Sequence, residues 1–134
     1  MAETRSATKL QSILSAAGAT GVGTGVNVAP YQHILLSVRS DNSANLTAKC
    51  QGSIANEEPT WGSAAAVDND WDYIGIQLLD DGTIVAGDTG VVYAGSDAVH
   101  YYMVNTDAMN WINFNVTARA AGDVTIQVRA FNNS

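Results

Sequence analysis

The sequence predicts an all-β protein: an antiparallel β-sandwich, jelly-roll-like, of about eight strands behind an N-terminal arm. Three observations predict it. Residues 45–54 alternate, with Leu46, Ala48, Cys50 and Ile54 set against Asn45, Thr47, Lys49, Gln51 and Ser53. Residues 111–119 and 124–130 alternate as well, placing Ile112, Phe114, Val116 and Ala118 on one face and Val124, Ile126, Val128 and Ala130 on another. Turn residues recur at short intervals between such runs, which is the pattern of strands buried on one side.

At 134 residues the chain fits one domain, and such a domain buries roughly two thirds of its unfolded surface without a staple. Residues 1–20 read as an arm or a short helix and residues 21–134 as the sandwich. In the arm, Leu10, Ile13, Leu14 and Ala17 have helical spacing, while the Ser and Thr between them allow an extended chain. A glycine-rich loop follows, Gly18-Ala-Thr-Gly-Val-Gly-Thr-Gly25, which matches neither the dinucleotide fingerprint nor a P-loop. Residues 24–28 form a short strand ended by Ala29-Pro30. Residues 31–39 form a strong strand with Ile34, Leu36 and Val38 inward, and Asp41-Asn-Ser43 turns the chain into residues 45–54.

Residues 57–70 are a long loop holding Pro59 and Trp61. Residues 72–79 form a strand with Ile74, Ile76 and Leu78 on one face, closed by Asp80-Asp-Gly82. Residues 90–94 and 99–104 read as a strand pair around Gly95-Ser-Asp97. Residues 111–130 read as a final hairpin through Ala120-Ala-Gly-Asp123. Outward positions carry Thr, Ser, Asn, Gln and Tyr far more than Lys or Glu. Exposed sheets are normally protected by charge, so self-association is expected.

The net charge is −7, and its distribution is uneven. All six basic residues (Arg5, Lys9, Arg39, Lys49, Arg119, Arg129) fall outside residues 50–118, which contain ten acidic ones. Direct nucleic-acid binding, which depends on Lys and Arg displacing counterions, is therefore not expected. No apolar run approaches the ~20 residues of a membrane helix, and no membrane partner is expected. Residues 1–5 lack the basic and apolar regions of a secretory signal, so synthesis in the cytoplasm is the expectation.

Chemistry-bearing patterns are sparse. Asp68, Asp70 and Asp72 place three carboxylates at alternate positions, a weak candidate loop for a hard cation. It is no EF-hand: Tyr73 stands where glycine is required and Leu79 where the bidentate Glu belongs. Asp80-Asp-Gly82 and Gly87-Asp-Thr-Gly90 read as turns. The latter has the letters of an aspartic-protease motif without its second copy. His33 and His100 sit alone in strands with no nucleophile elbow to serve. Glu57-Glu58 lack a defined partner across a sugar. Cys50, the only cysteine, is in phase with inward residues and reads as a small hydrophobe. No catalytic residue and no cofactor site is expected.

Aromatic residues divide two ways. Trp61, Trp71, Tyr73, Tyr93, Tyr101, Tyr102 and Trp111 suit a sugar-stacking face, with Trp61, Trp71 and Tyr73 as the binding residues of a carbohydrate-binding module, or a subunit contact, where Tyr and Trp are enriched. The contact reading is the one adopted, with Leu10, Ile13, Leu14, Trp61, Trp71 and Tyr73 as its candidate residues.

One resemblance spans most of the chain after about residue 20. Gly23-Thr-Gly-Val-Asn-Val-Ala-Pro-Tyr31, Leu46-Thr-Ala-Lys-Cys-Gln-Gly-Ser53, Pro59-Thr-Trp61, Trp71-Asp-Tyr73, Asn105-Thr106, Trp111-Ile112, Ala121-Gly-Asp-Val-Thr125 and Phe131-Asn-Asn133 follow in that order. The order resembles small β-sandwich virion structural proteins of tailed bacteriophages, of the decoration type. The chain departs from them at Asn56-Glu-Glu-Pro59, where an Asp-Gly turn is usual. The resemblance implies a structural phage protein with no catalytic residue to carry over. The expected role is a capsid decoration or cement protein that oligomerises, a trimer being one arrangement, and stabilises the head shell. Its partners would be itself and the major capsid protein, and its location the capsid surface of the virion. A tail-tube or other tail subunit is the alternative virion role. Residues 1–17 and the loop 57–71 are expected to make the contacts, with the sandwich folding independently of the arm.

Overall fold

The computed structural model describes residues 5–62, 70–104 and 109–133. Every regular element in them is a strand: β1 (Arg5–Ala17), β2 (Gly21–Val22), β3 (Val26–Asn27), β4 (His33–Ser53), β5 (Asp72–Tyr73), β6 (Ile76–Leu78), β7 (Ile84–Val85), β8 (Val91–Ala94), β9 (Ala98–Val104) and β10 (Trp111–Asn133). All the pairings are antiparallel. No helix in the described residues is long and apolar enough to cross a membrane.

The frame is a two-stranded ribbon. β4 and β10 pair along their whole length, from Trp111 opposite Ser53 to Phe131 opposite His33. The ribbon bends once. Asp41 and Asn45 pair with Asp123 and Ala121, so residues 42–44 bulge opposite Gly122. Asn42, Ser43 and Gly122 all take left-handed backbone there, with φ of 61°, 56° and 72°. Such bulges add twist and curvature to a strand pair without breaking it. The corner is tied by Asn42 Nδ2 donating to Asp123 Oδ2 (2.7 Å) and Ser43 N donating to Asp97 Oδ1 (2.9 Å).

On one side of the bend, strands run in the order β1, β10, β4, β9, β6, β7. On the other, β2 and β3 flank β10 while β5 and β8 flank β4. The apolar faces of the two layers share one core. Ile34, Leu36, Val38, Val124, Ile126 and Val128 come from the first layer; Leu46, Ala48, Cys50, Ile112, Phe114 and Val116 come from the second. Burying each Val, Leu, Ile or Phe is worth about 1.5–3 kcal/mol, so this core supplies the main drive for the bend.

The all-β antiparallel sandwich is as the sequence predicts, and so is the inward Cys50. Connectivity differs in four places. Residues 111–130 are no hairpin, because both halves pair with β4 and the Gly-Asp segment forms the corner. Likewise Asp41-Asn-Ser43 bends β4 without reversing it. Residues 90–94 and 99–104 do not pair with each other: β8 joins the second half of β4 and β9 the first, so Gly95-Ser-Asp97 crosses between layers. Residues 72–79 divide at Gly75 into β5, on β4, and β6, on β9.

Residues 8–17 belong to a strand hydrogen-bonded to β10. A register shift between Ser12 and Leu14 turns both Ile13 and Leu14 into the core. The expected arm is thus part of the sheet, and the helical spacing of its apolar residues reflects a bulge. Ala118 and Ile54, expected inward, are exposed. Ala118 follows a shift after Val116, and Ile54 lies one residue beyond the end of β4.

Candidate interaction surface

The outer faces of the two layers differ. On the second layer, polar side chains that alternation sends outward are nonetheless buried: Gln51, Asn113 and Asn115. Their cover is the protein's own aromatic cluster. Asn115 Nδ2 donates to the Tyr73 hydroxyl (3.0 Å), and Lys49 Nζ lies 5.1 Å above the Tyr73 ring. Trp71 meets Tyr73 edge-on at 5.0 Å and Trp61 at 6.4 Å. Trp61 Nε1 donates to Glu58 Oε2 (3.1 Å), and Gly25 leaves room for that pair where any side chain would collide with it. These contacts close the part of the face around Gln51 and Asn115, while Val92 and Val22 remain exposed nearer its edges.

The outer face of the first layer has no such cover among the described residues. Strand register builds it row by row. Leu10, Arg129, Leu35, Met103, Gln77 and Ile84 lie directly opposite one another across six strands. Beside that row run Ser12, Gln127, Ser37 and Tyr101, and then Thr125, Arg39 and Val99. Leu10 is 69% exposed, Ile84 64%, Tyr101 52% and Val99 50%. Two open grooves, both lined by Ser37 and Gln127, lie between these ridges. One of about 250 Å³ is lined by Leu10, Leu35, Tyr101 and Arg129; the other, of about 480 Å³, by Arg39, Asp41, Val99 and Thr125. Isolated exposed apolar residues are ordinary, but a contiguous patch marks an interaction site.

Charge sets this face apart too. Its central charges are Arg129 and Arg39, with Arg39 Nε 3.0 Å from Asp41 Oδ2 at the corner. That is the one ion pair among the described residues. In a chain of net charge −7, the uncovered face is its apolar and locally basic side.

No family model matches the sequence, and no curated protein matches it. A solved structure shares the fold. It is the crystal structure of SPBc2 prophage-derived protein YomS, matched over 94% of each chain with a TM-score of 0.70 at 10% identity. At that identity the likeness to YomS is one of backbone architecture.

Of the contact residues expected from sequence, only Leu10 stands on the uncovered face. Ile13 and Leu14 are in the core, Trp71 is 5% exposed, and Trp61 and Tyr73 are half-buried. The three aromatic residues do cluster, yet they cover their own sheet and offer no open stacking platform. Asp68 lies outside the described residues. The Asp70 carbonyl accepts from Ser53 Oγ, and Asp72 Oδ1 accepts from the Tyr73 amide (2.8 Å). Among the described residues no group of three His, Cys, Asp or Glu side chains is gathered for a metal. The turn at residue 80 is capped by Asp81, whose side chain accepts from Thr83; that bond holds its carboxyl below the ordinary range. His33 stacks on Phe131 at 5.1 Å, and His100 is half-buried opposite Val38.

Sequence reasoning weighed Tyr101 among the aromatic contact residues but missed Leu35, Val99, Met103 and Ile84. A signal was present. β9 reads Ala-Val-His-Tyr-Tyr-Met-Val, apolar on both faces, as in a strand covered on both sides. Here only one of its sides is covered by the chain itself.

Proposed function

We propose that this chain is a structural protein of a phage virion, a non-enzymatic decoration subunit that coats the head shell through the outer face of its first layer. The observation that carries the reading is the row across six strands in which Leu10, Leu35, Met103 and Ile84 are interrupted only by Arg129 and Gln77, and which no part of the described chain covers. The fold shared with a prophage-derived protein supports a phage origin. The virion resemblance of the sequence agrees with it. A coat protein needs no pocket. It needs a rigid flat face repeated many times, since multivalent placement converts modest single contacts into firm attachment.

The test uses purified heads that lack the protein. Added chain should bind to saturation at a fixed copy number, and Met103→Glu should abolish binding while leaving the thermal midpoint unchanged. Met103 is exposed, so the variant removes the face without removing the fold. Failure of the wild-type chain to bind heads, or its recovery with purified tails, would overturn the head assignment. The second outcome would favour the tail subunit.

A further inference from the structure

We infer that the grooved β1–β10–β4 part of the uncovered face seats residues 54–59 of a second copy of this chain, so that copies join head to tail and the part around Met103 and Ile84 is left for the shell. The inference rests on the reading of that face as an interface and names one of its occupants.

Complementarity is the ground for it. The face offers apolar grooves, one flanked by Arg129 and the other by Arg39, which is already paired with Asp41. The loop offers the converse: Ile54, 69% exposed, then the exposed carboxylates Glu57 and Glu58. Ala55, Asn56, Glu57, Glu58, Pro59, Thr60 and Asp70 line a hollow of about 380 Å³ with no cation on it. No Lys or Arg occurs between Lys49 and Arg119 in the sequence, so these carboxylates have no cationic neighbour within their own segment.

The loop is also held ready. Asn110 Nδ2 donates to the carbonyls of Ile54 (3.0 Å) and Ala55 (3.1 Å), and Ser53 Oγ accepts from the Ala55 amide (3.1 Å). Glu58 is fixed by Trp61, which leaves Glu57 as the free carboxylate. A segment already ordered loses little freedom on docking.

Position favours a contact between unlike surfaces. The loop leaves the end of β4 in the second layer, whereas the grooves lie on the outside of the first. A single copy therefore presents both surfaces at once. Two identical faces brought together would gather four arginines, Arg39 and Arg129 of each copy, with only the two Asp41 carboxylates among the groove residues to offset them, which is unfavourable. A head-to-tail contact avoids this, and contacts of that kind close into rings when the rotation between copies permits.

The experiment is sedimentation of the full chain with charge reversals. Glu57→Arg and Arg129→Glu should each weaken self-association about tenfold or more, the scale of losing one close interfacial charge pair. The two reversals in one chain should restore it. Circular dichroism and thermal melting establish that each variant is folded, and Ile54→Ser, which leaves charge untouched, should weaken association as well. Loss with Arg129→Glu but none with Glu57→Arg or Ile54→Ser would overturn the head-to-tail contact. A chain that stays monomeric at every concentration yet coats heads would also overturn it, while leaving the virion reading intact.

Discussion

Gly122 holds the bend of the molecule. Its φ of 72° is in the left-handed region, and a Cβ there would fall 2.5 Å from the Ala44 Cα and 2.6 Å from the Asp41 carbonyl oxygen. Backbone cannot yield as a flexible side chain can. Gly122→Ala is therefore expected to cost about 1–3 kcal/mol, the scale of a forced left-handed residue, read as a lower urea midpoint. Asn42 and Ser43 already take left-handed backbone without glycine, aided by the bonds to Asp123 and Asp97. At this scale the sequence was legible in part. The faces of residues 46–50 and 124–130 followed from alternation alone. A Gly-Asp pair, however, serves a bulge as readily as a hairpin turn, and period two records which face a residue takes without recording its partner. That is why Phe114 was correctly placed inward while its pairing with Cys50 was not foreseen.

Among the elements, β1 shows the gap most clearly. Leu10, Ile13 and Leu14 have the spacing of a helix, and only the extra residue at the register shift explains why the last two share a side in a strand. A bulge is set by the neighbouring strand and leaves no mark on local composition. The consequence is measurable. Leu14→Ala, at a buried position, should lower stability by about 2–5 kcal/mol, whereas Leu10→Ser should change it by less than about 0.5 kcal/mol. Equilibrium urea unfolding of the two variants separates core from surface on a single strand. Equal losses would contradict the placement of Leu10. The interaction face was illegible for a related reason: its rows combine residues from β1, β10, β4, β9, β6 and β7, and nothing in one strand announces which others lie beside it.

For the molecule as a whole, the buried ionisable groups set an alkaline limit. Burial pushes the Cys50 thiol and the Tyr93 and Tyr102 hydroxyls above their ordinary values of 9.0 and 10.0. For Tyr93 the neighbouring Tyr102 adds to the rise. Below pH 9 all three are protonated in both folded and unfolded chain, so stability is fully present. Above 9 to 10 the unfolded chain releases these protons while the folded chain retains them, and stability falls as pH climbs toward the raised values. Unfolding titrations from pH 8 to 12 should show this decline. In the tyrosinate absorbance, Tyr93 and Tyr102 should ionise only above the ordinary tyrosine value of 10.0. Ionisation of Tyr93 and Tyr102 at their ordinary value would refute the packing between the layers.

The long ribbon has a bearing on the order of assembly. β4 is made early in synthesis, yet its continuous partner is the strand at residues 111–133. Until that partner leaves the ribosome, a 21-residue strand with one apolar face has only short companions. Closing so distant a pairing is slow for entropic reasons, and the waiting strip is prone to stray association. The nascent chain thus passes through a vulnerable interval that ends only when its final strand arrives, and the rate at which that strand is delivered governs how much of the product survives.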